Sequence, residues 1–210
     1  MRCRVKVCGI TSVADAKMVS RAGADALGLV FYPKSPRNVS LEQARTIGQA
    51  IPPFVTRVGL FLNAERDFIT QVLDQVTLDV IQFHGNESAE FCRSFGRPYI
   101  KALGMLGQNF YELARAYPDA QGLLVDSHAP GAAGGTGQTF DWTQLPQNYP
   151  QALILAGGLK ADNVYQAIKT TQVYAVDVSS GVESTAGVKD PAKVAAFLNE
   201  VRRVECEHDH

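Results

Sequence analysis

The 210-residue sequence predicts an α/β protein, a single-domain (β/α)8 TIM barrel with an eight-stranded parallel sheet. Three observations lead there. Short apolar, β-branched runs recur at a steady interval along the chain. Amphipathic stretches with helix-capping residues lie between them. No linker or break in composition interrupts the alternation, which argues for one parallel sheet rather than two domains. An open doubly wound sheet is the alternative, but GITSV after the first run lacks the GxGxxG spacing of its usual first turn.

The predicted strands are Arg4–Cys8 (RVKVC), Ala26–Phe31, Thr56–Leu62, Val80–His84, Tyr99–Leu103, Gly122–Asp126, Ala152–Ala156 and Val173–Val178. They are too short and too continuously apolar for helices, and suit strands covered on both faces. Between them, Ser12 is placed to cap SVADAKMVSRAG, which closes on Gly23. Ser40 with Gln43 three residues on has the spacing of a capping box. AERDFITQVLDQV, ESAEFCRSFG, NFYELARAY and KADNVYQAIKTT follow. In DPAKVAAFLNEV, Asp190 is the expected cap and Pro191 the tolerated first-turn proline. The sixth connection is Gly- and Pro-rich, with at most a short helix near Trp142–Leu145. The catalytic barrel is expected over residues 1–204, with 205–210 as a flexible tail.

Composition narrows the function. Hydrophobic residues make up 46% and charged residues 20%, which predicts a packed core. Twenty basic against 21 acidic residues give a net charge of −1, so a nucleic-acid partner is not expected. The N-terminus MRCRVKVCGIT carries no signal-like stretch. No segment reaches the ~20 apolar residues of a membrane helix. The expected location is the cytoplasm, with no membrane partner. There Cys3, Cys8, Cys92 and Cys206 stay reduced, and their spacings match no zinc pattern, so no metal site is expected.

In this fold the chemistry sits at the C-terminal ends of the strands. Cys8 ends the first strand, and alternation puts it on one side with Lys6 and Arg4, opposite Val5 and Val7. Two readings stay open for it: a small buried hydrophobe, or a thiol whose thiolate a neighbouring cation favours. Lys6, deeper inside, needs a carboxylate partner, either Asp126 or Asp177. Asp126 closes GLLVD, and a carboxylate after four apolar residues needs solvent, an ion-pair partner or a substrate. Cys8 and Asp126 across one mouth would supply a base and an acid, enough to move a proton between carbon and oxygen. Gly157-Gly158 follows strand seven and Ser179-Ser180-Gly181 follows strand eight, the pair of loops where such barrels bind phosphate. GGTG at 134–137 is a third donor-rich segment. Arg37 lies in YPKSPRNV after the second strand, in a loop that Pro33 and Pro36 stiffen. It reads either as a solvated surface arginine or as a held fork for a carboxylate. His84 ends strand four and reads as a structural or orienting histidine.

KVCGIT, FYPKSPRNV, QFHG, LLVDS, GGTGQTFDW, LAGGL and VDVSSGVE occur in this order between residues 6 and 183. The set closely resembles the phosphoribosylanthranilate isomerases of tryptophan biosynthesis. The resemblance implies an Amadori rearrangement of N-(5-phosphoribosyl)anthranilate to 1-(2-carboxyphenylamino)-1-deoxyribulose 5-phosphate, without cofactor or metal. It implies Cys8 as general base, Asp126 as general acid, Arg37 as holder of the anthranilate carboxylate, and the AGGL and SSG loops as the phosphate site. His84 is counted with the substrate-binding residues. Asp126 would then need a pKa above the ordinary ~3.9. The expected partner is a phosphorylated small molecule, and the expected assembly a monomer or homodimer. Phe83 stands where leucine is more usual in that family, and GGLKADNV lacks a proline often found after GGL. Two rivals remain. One is a histidine-pathway sugar-phosphate isomerase, which in that family carries a carboxylate where this chain has Cys8. The other is a non-catalytic sugar-phosphate-binding barrel.

Overall fold

The computed structural model describes residues 2–127 and 141–207. Eight parallel strands close into a barrel in chain order: β1 (Arg4–Cys8), β2 (Ala26–Val30), β3 (Thr56–Phe61), β4 (Val80–Phe83), β5 (Tyr99–Gly104), β6 (Gly122–Asp126), β7 (Ala152–Leu155) and β8 (Ala175–Val178). β8 returns to pair with β1, and that pairing closes the sheet. All eight strands lie where the sequence puts them. β1 and β6 match at both ends, and the other six differ at one end by one or two residues, because a strand stops where the chain peels away from its ladder. β8, for example, begins at Ala175 rather than Val173.

The helices follow the same local logic. In α1 (Val13–Ala22) the Ser12 side chain accepts from the Asp15 N–H, and Gly23 ends the helix in the left-handed region. In α2 (Leu41–Ala50) both halves of the Ser40–Gln43 capping box form. α3 (Arg66–Gln75), the five-residue α4 (Ala89–Arg93) and α5 (Phe110–Ala114), and α6 (Val164–Thr171) complete the outer ring with α7. α7 (Pro191–Glu207) starts on Asp190, whose Oδ1 accepts from the N–H groups of Ala192 and Lys193. It runs past the 204 boundary expected from the sequence. The sixth connection holds one 3₁₀ turn, Trp142–Gln144. The sequence reading missed a small antiparallel hairpin after β8, made of β9 (Glu183–Thr185) and β10 (Val188–Lys189).

Two apolar layers result. The larger lies between sheet and helices and includes Val5, Val7, Phe31, Phe61, Phe83 and Val176. The smaller fills the barrel on one side with Ala102, Leu124, Ile154, Ala156 and Ala175. Lys6 of β1 and Asp177 of β8 bring charge to the inner face as well. Lys6 and Asp177 are register partners across that pair, so the pleat turns both side chains to the same face. No helix among the described residues is long and apolar enough to cross a membrane.

Candidate active site

Val5 and Val7 pack outward, so Lys6 and Cys8 point into the barrel. The Lys6 ammonium lies 2.9 Å from Asp177 Oδ1, with both side chains almost fully enclosed. This settles the open partner of Lys6 in favour of Asp177. Cys8 is also buried, against Val30, Leu60 and Tyr32. Facing it on β2 is Gly28, its register partner. A methyl group there would stand 2.8 Å from Cys8 Sγ and 3.2 Å from Lys6 Nζ. Glycine therefore leaves room for a sulfur and an ammonium side by side.

The charges around Cys8 act in opposite directions. Burial pushes its pKa up, Lys6 and Lys189 pull it down, and Asp177 pushes it up again, with a net upward displacement. The cation expected near the thiol is present, but burial outweighs it. Burial pulls Lys6 down, yet Asp177 and Cys8 together carry it above its ordinary value, so it remains an ammonium. Burial raises Asp177, Lys6 offsets part of this, and Asp126 adds to the rise. The Asp177 charge thus acts on the thiol at the end of β1, and Asp177 itself feels the carboxyl at the end of β6.

Asp126 is buried, and the Ser127 hydroxyl lies 3.4 Å from its Oδ1. Gly157, at φ +85°, packs directly on this corner. A Cβ there would come within 2.8 Å of Asp126 Oδ1 and 2.6 Å of Ser127 Oγ. Gly158 follows, also at positive φ, and its carbonyl accepts from Asn163 Nδ2 at 2.9 Å. Gly181 approaches so near that a Cβ would run into the Leu159 carbonyl oxygen, which brings the SSG and AGGL loops together. Ser179 donates its hydroxyl to the Cys8 carbonyl oxygen at 3.0 Å, bracing β8 against β1. Ser180 opens a 3₁₀ turn that ends at Val182. GGTG at 134–137 lies outside the described residues, as do residues 208–210.

His84 lies just past β4, buried, with Nδ1 3.1 Å from Gln82 Nε2. Phe83 packs in the outer layer, so Gln82 and His84 both face inward. Arg37 is not the solvated arginine its loop alone would favour. Its Nε and Nη2 donate to Glu183 Oε1 and Oε2 at 2.9 and 2.7 Å, and only 15% of its side chain is exposed. What fixes it is a carboxylate from the hairpin, in addition to any stiffness from the prolines. Lys189, fully enclosed, donates to the same Glu183 Oε1 at 2.7 Å, to the Cys8 carbonyl oxygen at 2.7 Å and to the Ser179 carbonyl oxygen at 3.3 Å. Sequence reasoning missed Glu183 and Lys189. The usable signal was a glutamate directly after SSGV, too close to the end of β8 to be an ordinary surface residue.

A family profile described as N-(5'phosphoribosyl)anthranilate (PRA) isomerase matches residues 5–200. The chain belongs to that family. It is 54% identical over 201 residues to the N-(5'-phosphoribosyl)anthranilate isomerase of Pseudomonas fluorescens, covering 95% of this chain and 96% of the relative. The solved phosphoribosyl anthranilate isomerase of Thermotoga maritima superposes with a TM-score of 0.84 at 41% identity, covering 96% and 99% of the two chains. A further solved isomerase, holding reduced 1-(o-carboxyphenylamino)-1-deoxyribulose 5-phosphate, superposes at 0.80 with 39% identity over 96% and 99%. The resemblance carried by the ordered motifs is therefore correct, and the TIM barrel is that of the isomerase family.

Proposed function

We propose that Cys8 and Asp126 divide the proton transfers of the Amadori rearrangement that this isomerase performs in tryptophan biosynthesis. Asp126 gives a proton to the furanose oxygen of N-(5-phosphoribosyl)anthranilate as the ring C–O bond breaks. The nitrogen lone pair forms the C=N bond of a protonated Schiff base, which acidifies the hydrogen on C2′. Cys8, as thiolate, takes that hydrogen as a proton. The C–H electron pair becomes the C1′–C2′ double bond, and tautomerisation of this enolamine gives 1-(2-carboxyphenylamino)-1-deoxyribulose 5-phosphate. Substrate and product are isomers, so no proton is gained or lost overall.

The observation that supports this reading is that Cys8 and Asp126 are the last residues of β1 and β6, at the same end of one closed parallel barrel, each following a residue (Val7, Val125) that packs in the outer layer. Arg37 is assigned to the anthranilate carboxylate, since the Nη1–Nη2 edge of its guanidinium has no protein acceptor among the described residues. Gly157, Gly158, Ser180 and Gly181 are assigned to the phosphate, with Ser179 tying that loop to Cys8 and His84 closing the wall beside β4. The relative solved with the reduced product shows that a family member takes a phosphorylated ligand of this shape. Every residue named comes from one chain, so a monomer or a homodimer would carry the site. The cytoplasm is the expected place for it.

Purified protein should convert N-(5-phosphoribosyl)anthranilate. Cys8→Ser and Asp126→Asn should each lower kcat by ~10²–10⁴-fold. Both should bind reduced 1-(o-carboxyphenylamino)-1-deoxyribulose 5-phosphate within a few-fold of wild type. Normal turnover by both variants would overturn the assignment of acid and base.

A further inference from the structure

The hairpin after β8 carries more than a loop closure requires. Its first residue, Glu183, is enclosed and accepts from two cations. Arg37 comes from the loop after β2, and Lys189 from the last residue of the hairpin. Burial pushes the Glu183 carboxyl up, but the Arg37 and Lys189 bonds more than offset this and hold it below the usual glutamate range. Lys189 donates to Glu183, to the carbonyl of Cys8 at the end of β1 and to the carbonyl of Ser179 just after β8. One ammonium therefore locks the base-bearing strand, the SSG loop and the arginine's carboxylate into a single frame.

The geometry at Arg37 is specific. A guanidinium has a side edge, Nε with one Nη, and an end edge made of the two Nη groups, and each can meet a carboxylate with two hydrogen bonds. Glu183 occupies the side edge. The end edge is thereby fixed in direction, and Gly9 clears the path of the side chain, since a Cβ at its φ of +78° would collide with Arg37 Cδ. From this, and resting on the reading of Arg37 above, we infer that Glu183 and Lys189 are positioning residues that make the site selective for an ortho-carboxylated aromatic amine. They hold one edge of the Arg37 fork so that the other is preset for the substrate's carboxylate.

Simple electrostatics makes the opposite forecast. Removing the Glu183 charge leaves two cations unopposed, which would strengthen the attraction for a carboxylate. A brace that only supports the hairpin would change stability and leave selectivity alone. Positioning alone predicts that selectivity falls.

The test compares two ligands by calorimetry: reduced 1-(o-carboxyphenylamino)-1-deoxyribulose 5-phosphate and its counterpart lacking the carboxyl group. Wild type should prefer the first by about 10- to 100-fold, the worth of a charge-assisted pair. Glu183→Gln should cut that preference to about 3-fold or less, while the phosphate-bearing counterpart binds as before. Lys189→Met keeps the Arg37–Glu183 contact but frees Glu183 from the strand ends, and should lose part of the preference. It carries the test alone if Glu183→Gln does not fold. A preference that is unchanged or raised in the folded variants overturns the inference and leaves the reaction assignment standing. Absence of any preference in wild type overturns the inference together with the assignment of Arg37 to the carboxylate, and leaves the roles of Cys8 and Asp126 to their own test.

Discussion

Among the described residues two buried lysine–glutamate pairs sit on this barrel, and they serve different ends. Lys189 and Glu183 meet at 2.7 Å at the mouth; Lys101 and Glu87 meet at 3.2 Å between β5 and the outer layer. In both, burial pulls the lysine pKa down and the glutamate holds it back. The difference lies in what the glutamate holds. Glu87 accepts from the backbone N–H groups of Asn63 and Gly85, and Lys101 donates to the carbonyls of Phe83, Gly85 and Ala102. That pair satisfies the backbone of two loops. Glu183 holds a side chain, Arg37, whose Nη1–Nη2 edge has no acceptor among the described residues. A buried charge is therefore informative by what it orients, and burial alone does not distinguish architecture from function.

The comparison breaks most visibly on Lys101. Lys101→Met leaves Glu87 buried without its cation, and should lower the unfolding free energy by ~3–5 kcal/mol in urea titrations. The folded fraction should keep wild-type KM and ligand selectivity. A selectivity change as large as that of Glu183→Gln would erase the distinction between the pairs.

A smaller effect sharpens the electrostatics at the mouth. With Cys8 as the proposed base, activity depends on its thiolate, and the Cys8 pKa is displaced upward from 9.0, so kcat/KM should still be rising with pH above 9. The groups facing Cys8 are Lys6, Asp177, Lys189 and Arg37. Lys6 stays charged through this range, because its own pKa lies above 10.5. Lys6→Met should therefore move the rising limb further up. A limb that stays in place would mean that Lys6 serves packing only. The smallest effect is the control: Ser40→Ala should cost ~1 kcal/mol of stability by removing a cap, with the pH profile and selectivity untouched.

Most of the fold was legible because its signals are local. A strand such as RVKVC is read from consecutive residues, and the Ser12 and Ser40 caps from spacings of three. The placement of Cys8 and Asp126 at strand ends was legible for the same reason, since each closes an apolar run. The β9–β10 hairpin was not, because strands of three and two residues are too short to show alternation. Glu183 was also hidden, because its partner Arg37 lies 146 residues away in the chain. The choice between Asp126 and Asp177 for Lys6 depended on the β1–β8 register, which only the closed barrel fixes.

The division of labour between the sulfur and the carboxyl can be read from one kinetic isotope effect. Substrate carrying deuterium at C2′ should be turned over by Cys8→Ser with a larger isotope effect than by wild type, because C–H cleavage then limits the rate. Asp126→Asn, slowed at ring opening, should show little or none. Equal isotope effects in the two variants would contradict the account.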